Sequence, residues 1–146
     1  MRLSSLPLLP ETDMAHILVI DDDELFVKLM CHSLKQKGHT IEFALDGQQG
    51  WKTFCNGKFD VIVCDIVMPA QEGFETIKRI RQQDTDVGIV AISGGLSRSL
   101  PSNLDVLDIV SKLGANETLK KPFPLSELAA CVERVLTRNQ PQAQVG

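Results

Sequence analysis

Residues 59–69 read Phe59-Asp60-Val61-Ile62-Val63-Cys64-Asp65-Ile66-Val67-Met68-Pro69, and this stretch decides the fold. The β-branched run Val61–Val63 shows no polar alternation, the pattern of a strand covered on both faces in a parallel sheet flanked by helices. The run halts just before a lone acid, Asp65. Ligands of such sheets gather at the carboxyl ends of the strands, where Asp65 is expected to stand. A single Asp there also serves as an ordinary start to a loop, so its company has to decide between the two uses.

Upstream, His16–Ile20 (HILVI) reads as a second buried strand and runs into Asp21, Asp22, Asp23 and Glu24. A helix follows, with Phe26, Leu29, Met30 and Leu34 at helical spacing, acids at its amino end and Gly38 as its stop. Thr40–Phe43 is a short strand, and Asp46 caps a helix carrying Trp51 and Phe54 on its apolar face. Asn56-Gly57 then turns the chain into the stretch at 59–69.

Downstream, Ile66–Gly73 holds Pro69 and a glycine and reads as a loop, with a helix over Phe74–Arg81. Val87–Ile92 is a buried strand ending at Ser93, Gly94 and Gly95. A long polar loop with Pro101 precedes a helix bearing Leu104, Leu107 and Val110 and closing at Gly114. A strand around Glu117–Leu119 leads to Lys120, Lys121 and Pro122, and the last helix shows Leu125, Leu128, Ala129, Val132, Val135 and Leu136 on one stripe.

Five strand–helix units of this kind imply an α/β fold: an open parallel sheet with right-handed crossovers and helices on both faces. One edge of that sheet collects Asp21, Asp22, Asp65, Ser93 and Lys121. Carboxylates gathered there repel one another and call for a hard cation, and Mg²⁺ suits a site with few protein oxygens and several waters. A cation would also ease attack by the Asp65 carboxylate on a phosphoryl group, with Lys121 and the Ser93 hydroxyl on the remaining oxygens. Gly94 is expected to keep that approach uncrowded. Singly, each residue has a plainer use: Asp21 and Asp22 as helix-start acids, Ser93 as a turn hydroxyl, Lys121 as a solvated charge.

The totals agree with one domain: 146 residues, 43% of them hydrophobic. A net charge of -4 without a basic block argues against direct nucleic-acid contact. Cys31, Cys55, Cys64 and Cys131 lack CxxC spacing and read as reduced, buried thiols of a cytoplasmic protein. The leading stretch is broken by Pro7 and Pro10 and is too short for a signal core or a membrane insertion. Residues 1–14 and 139–146 are expected to be disordered extensions around a domain at 15–138, and a start at Met14 would still include that domain. His16, His32 and His39 lack metal-ligand spacing and are assigned to surface or core.

In order along the chain, VIDDDE, VIVCDIVMP with Gly73 after it, AISGG and LKKPF resemble the CheY-like receiver domain of two-component response regulators over roughly residues 15–138. The resemblance implies a flavodoxin-like, doubly wound three-layer sandwich with strand order 2-1-3-4-5. It implies that Asp65 is the phospho-acceptor and, with Asp22, a direct Mg²⁺ ligand. Asp21 then holds a metal-bound water, and the Val67 backbone carbonyl is the remaining protein ligand. Ser93 matches the hydroxyl that moves toward the phosphoryl group, and Lys121 the pocket lysine. The implied partners are a sensor histidine kinase or histidine phosphotransfer protein and a downstream protein whose identity the sequence leaves open. No enzymatic turnover is implied beyond self-phosphorylation and autodephosphorylation.

Two features depart from the family pattern. Thr118 stands where receivers often carry an aromatic three residues before the Lys-Pro, and the loop after Ser93 is longer than usual. The expected function is a stand-alone receiver acting by phosphorylation-dependent protein binding. The alternatives are a receiver-like scaffold independent of phosphorylation and an aspartyl-phosphate phosphatase of the haloacid dehalogenase type. The phosphatase needs a second acid two residues after the nucleophile, where this chain has Val67.

Overall fold

Along each inner strand, successive side chains enter two different apolar layers, as a strand's period of two requires. The computed structural model describes residues 14–68, 72–94 and 106–138. In order the elements are β1 (His16–Ile20), α1 (Glu24–Gln36), β2 (Thr40–Ala44), α2 (Gly47–Cys55), β3 (Val61–Asp65), α3 (Glu72–Gln83), β4 (Gly88–Ser93), α4 (Val106–Leu113), β5 (Glu117–Lys120) and α5 (Leu125–Arg138). All neighbouring strands are parallel, in the order β2-β1-β3-β4-β5, which is the doubly wound α/β architecture expected.

One layer takes Ile17 and Val19 of β1, Val61 and Val63 of β3, and Val90 and Ile92 of β4, packed against Val27, Met30 and Leu34 of α1 and Leu128, Val132 and Val135 of α5. The opposite layer takes Leu18, Ile20, Ile62, Cys64, Ile89 and Ala91, covered by Phe54 of α2, Ile77 and Ile80 of α3 and Val110 of α4. Each such side chain taken fully from water contributes about 1.5–3 kcal/mol before conformational entropy is set against it. β3 and β4 are buried at every residue, the reason their sequences lack alternation.

Side-chain caps set several helix starts and glycines set several ends. Asp23 accepts the Phe26 N–H at the start of α1, and Asp46 accepts the Gln49 N–H at the start of α2, as its sequence position suggested. Gly38 (φ 96°) and Gly114 (φ 113°) take the left-handed conformation just past α1 and α4. Arg81 of α3 then ties the far end of the sheet. Its Nε and Nη2 donate to Gly114 O at 3.1 and 2.8 Å, and its Nη1 donates to Val87 O at 2.7 Å and Asp84 O at 3.2 Å. Arg81→Met would strip these carbonyls of their donors. We expect a loss of about 2 kcal/mol, seen as a lower urea midpoint at unchanged slope.

Three expectations are corrected. Leu29 is 47% exposed, and Val27 and Cys31 take the buried face with Met30 and Leu34, because that side of α1 is the one turned toward the sheet. Cys55 is exposed at the end of α2, whereas Cys31, Cys64 and Cys131 are buried and free. α3 begins at Glu72, so Gly73 lies in the helix rather than in the loop before it. Of the extensions expected at 1–14 and 139–146, residues 1–13 and 139–146 lie outside the described residues, as do the loop with Pro101 and the position of Leu104. Among the described residues, no helix is long and apolar enough to cross a membrane.

Candidate functional site

Strand register alone brings the expected site residues to one edge. Ile20 of β1 pairs with Cys64 of β3, so the next residues, Asp21 and Asp65, leave the sheet side by side. Asp65 pairs with Ile92 of β4, and Ser93 follows. Ser93 pairs with Lys120 of β5, and the Lys121 N–H donates to Ser93 O at 2.8 Å. The side chains complete the convergence: Lys121 Nζ lies 3.3 Å from Asp21 Oδ2 and 3.3 Å from Asp65 Oδ2. Asp21, Asp65 and Ser93 are buried, while Asp22 is exposed beside them.

Backbone amides aim the two buried acids. Asp65 Oδ1 accepts the Val67 N–H at 2.9 Å, and Asp21 Oδ1 accepts the Asp23 N–H at 2.9 Å, each leaving Oδ2 toward Lys121. Burial, followed by the charge of Asp21, pushes the Asp65 carboxyl up to about 6, against the opposing pull of the Val67 amide and Lys121. Burial likewise raises Asp21, with the Asp23 amide and Lys121 opposing. Lys121 is also partly desolvated, which lowers its proton affinity, but the two carboxylates outweigh this and its pKa rises. Burial and the same charges push the Cys64 thiol far above its ordinary range, so this neighbour of Asp65 stays an unreactive thiol.

Asp21, Asp22 and Asp65 can each bring a carboxylate oxygen within 4.8 Å of the others. Among the described residues this is the one group of three potential ligands so placed. Its donors are all hard oxygens, and Asp22 keeps one side open to water, the combination a small divalent cation such as Mg²⁺ prefers over softer metals.

A family profile described as the response regulator receiver domain matches residues 17–133. The chain belongs to that family. Transcriptional regulatory protein RprY of Bacteroides fragilis is 31% identical over 122 residues, covering 84% of this chain and 49% of the relative. The DNA-binding transcriptional regulator NtrC of Azospirillum brasilense is 33% identical over 129 residues, covering 88% of this chain and 26% of the relative. The receiver thus spans about half, or less, of the curated relatives it matches. Among solved structures, Vibrio cholerae chemotaxis protein CheY4 superposes with TM-score 0.73 at 29% identity, covering 84% of this chain and 98% of that one. The Francisella response regulator 1452 receiver domain superposes at 0.74 with 25% identity, covering 86% and 99%.

Within this receiver, the histidines stand apart from the acid cluster. Buried His39 accepts the Ala15 N–H at its Nδ1, and His16 sits between Lys58 O and Glu42. Thr118 is half-buried on β5 opposite Ala91. At Gly94 an added Cβ would meet only the Val67 Cβ, at 3.8 Å, so the protein itself leaves room for a methyl there. The demand for glycine lies at Gly73, where a Cβ would come within 2.2 Å of Asp65 O and 2.3 Å of Ile66 Cα. Two further side chains join the site: the Phe26 ring lies under the Lys121 ammonium, and Phe123 abuts Phe26. Their sequence signal was present, Phe123 in LKKPF and Phe26 just after the acids, but periodicity assigned Phe26 to packing alone.

Proposed function

We propose that Asp65 accepts a phosphoryl group from a phosphohistidine on a sensor histidine kinase or histidine phosphotransfer protein in the cytoplasm. The supporting observation is a buried, strand-end carboxylate with an amide on one oxygen and an ammonium 3.3 Å from the other, beside two further acids. An Asp65 carboxylate oxygen forms a bond to phosphorus as the phosphorus–imidazole bond breaks, and the electron pair of that bond stays on the imidazole. With a pKa of about 6, Asp65 is mostly ionised at neutral pH and therefore nucleophilic. Lys121 is within reach of the phosphoryl oxygens and offsets their charge, and Ser93 supplies a hydroxyl from the neighbouring strand end.

Asp22, Asp65 and the Val67 carbonyl would hold Mg²⁺, with Asp21 holding one of its waters. Bound there, the ion supplies charge neutralisation between the nucleophile and the incoming phosphoryl group. The chain performs no other turnover than gaining and hydrolysing this group. Two residues after Asp65, where a dehalogenase-type phosphatase needs an acid, stands Val67, packed against the apolar layer. Phosphorylation then shifts the population of a surface near α4 and β5 that a downstream protein reads, and the acidic net charge of -4 favours a protein over nucleic acid as its direct contact.

Intact-mass spectrometry after incubation with acetyl phosphate and Mg²⁺ tests the reading. One phosphoryl mass is expected on the wild-type chain and none on Asp65→Asn. A wild-type chain that gains no mass, or a variant that gains as much, overturns it.

A further inference from the structure

The Lys121 ammonium is held from three directions. Two are the carboxylates of Asp21 and Asp65, and the third is the face of the Phe26 ring, whose centroid lies 4.7 Å from Nζ. Phe123, two residues after Lys121, meets Phe26 edge-on, with centroids 5.6 Å apart and planes at 66°. Both rings are half-buried and packed against the α1–α5 layer. The first turn of α1 fixes the ring and the acid together: Asp23 accepts the Phe26 N–H at 3.1 Å while its own N–H donates to Asp21.

The three attractions differ in kind. A carboxylate draws the ammonium toward itself and offsets its charge with a full negative charge, whereas a ring face attracts the cation through its quadrupole and brings no anion to compete with an incoming one. An ammonium resting on a ring therefore stays available to an incoming anion. We infer that Phe26, buttressed by Phe123, is a positioning residue: it holds the Lys121 ammonium beside Asp65, where it meets the oxygens of the phosphoryl group, and so sets the rate of uptake. This rests on phosphoryl acceptance at Asp65, but the placement of Lys121 can be observed without it.

The test pairs a spectroscopic reading with a rate. In wild-type protein without any phosphoryl donor, the ε-methylene protons of Lys121 are expected upfield by the ring current of Phe26, and Phe26→Leu should abolish that displacement. Uptake from phosphoramidate, followed by intact mass, should slow about three- to tenfold in Phe26→Leu and recover in Phe26→Tyr, the scale of a partly exposed cation–π contact. Trifluorophenylalanine at position 26 keeps the shape of the ring and weakens its negative face. It should slow uptake like Leu, which guards against a folding defect in the Leu variant. An undisplaced Lys121 in wild type, or wild-type rates in both Phe26→Leu and the fluorinated chain, overturns the inference. A displaced Lys121 in a wild-type chain that takes up no phosphoryl group upholds the placement and makes acceptance at Asp65 the part that fails.

Discussion

Asp65→Asn is expected to end phosphoryl uptake and at the same time to raise the melting temperature of the metal-free protein at pH 7.5. The gain follows from the titration of the wild-type acid. An unfolded Asp loses its proton near 3.8, whereas Asp65 in the fold keeps it to about 6. Between these values the folded chain binds a proton that the unfolded chain has released, so stability falls as pH rises through the window and the full cost stands above it. Asn keeps the Val67 N–H bond at its own carbonyl and carries no charge toward Asp21. The difference at pH 7.5 should be about 2 kcal/mol, or roughly 5–10 °C in melting temperature. It should shrink as pH drops below 6 and vanish near pH 4. Mg²⁺ should raise wild type more than the variant, since binding to the fold alone stabilises it and the variant has lost one of the proposed ligands. Calorimetry across pH, with and without Mg²⁺, checks both parts. A variant that melts below wild type in metal-free buffer at pH 7.5 contradicts the repulsion argued here.

Gly73→Ala should be the most damaging single methyl in the described chain. Its Cβ would sit 2.2 Å from Asp65 O and 2.3 Å from Ile66 Cα, and these are backbone atoms that cannot rotate aside. Either α3 retreats by about 1 Å or the end of β3 is displaced, and cores resist such shifts because they are close-packed. The expected cost is on the order of 3 kcal/mol, read as a lower urea midpoint. Uptake at Asp65 should slow as well, because the atom struck belongs to the proposed acceptor residue itself. Gly94→Ala is the matched control, with its nearest neighbour at 3.8 Å, and should change stability by less than about 0.5 kcal/mol. Equal melting of the two variants would show that α3 does not press on the acceptor strand as described.

Much of this receiver was legible before any coordinates. Short apolar runs and helical spacing located the five strands and the acids at their ends, because continuous burial of a strand and the amphipathicity of a helix are both written in neighbouring residues. Asp46 as a cap and Gly38 and Gly114 as stops were legible for the same reason, each acting on the backbone within a few residues of itself. Convergence of Asp21, Asp65, Ser93 and Lys121 at one edge followed from the parallel alternation. The order 2-1-3-4-5 came from the family resemblance, since periodicity does not say which strands are neighbours.

By itself, then, the sequence determined the α/β class, the strand positions and the residue types available for chemistry at the carboxyl edge. Tertiary structure alone decided three things. Leu29 faces water while Val27 and Cys31 face the core, because the direction of a helix stripe depends on where the sheet lies and not on hydrophobicity alone. Position 73 of α3 demands glycine because the helix there approaches the backbone at the end of β3 too closely for any side chain. Phe26 lies beneath Lys121 because the first turn of α1 and the residues after β5 meet at one edge of the sheet, a contact between distant parts of the chain that no local pattern encodes.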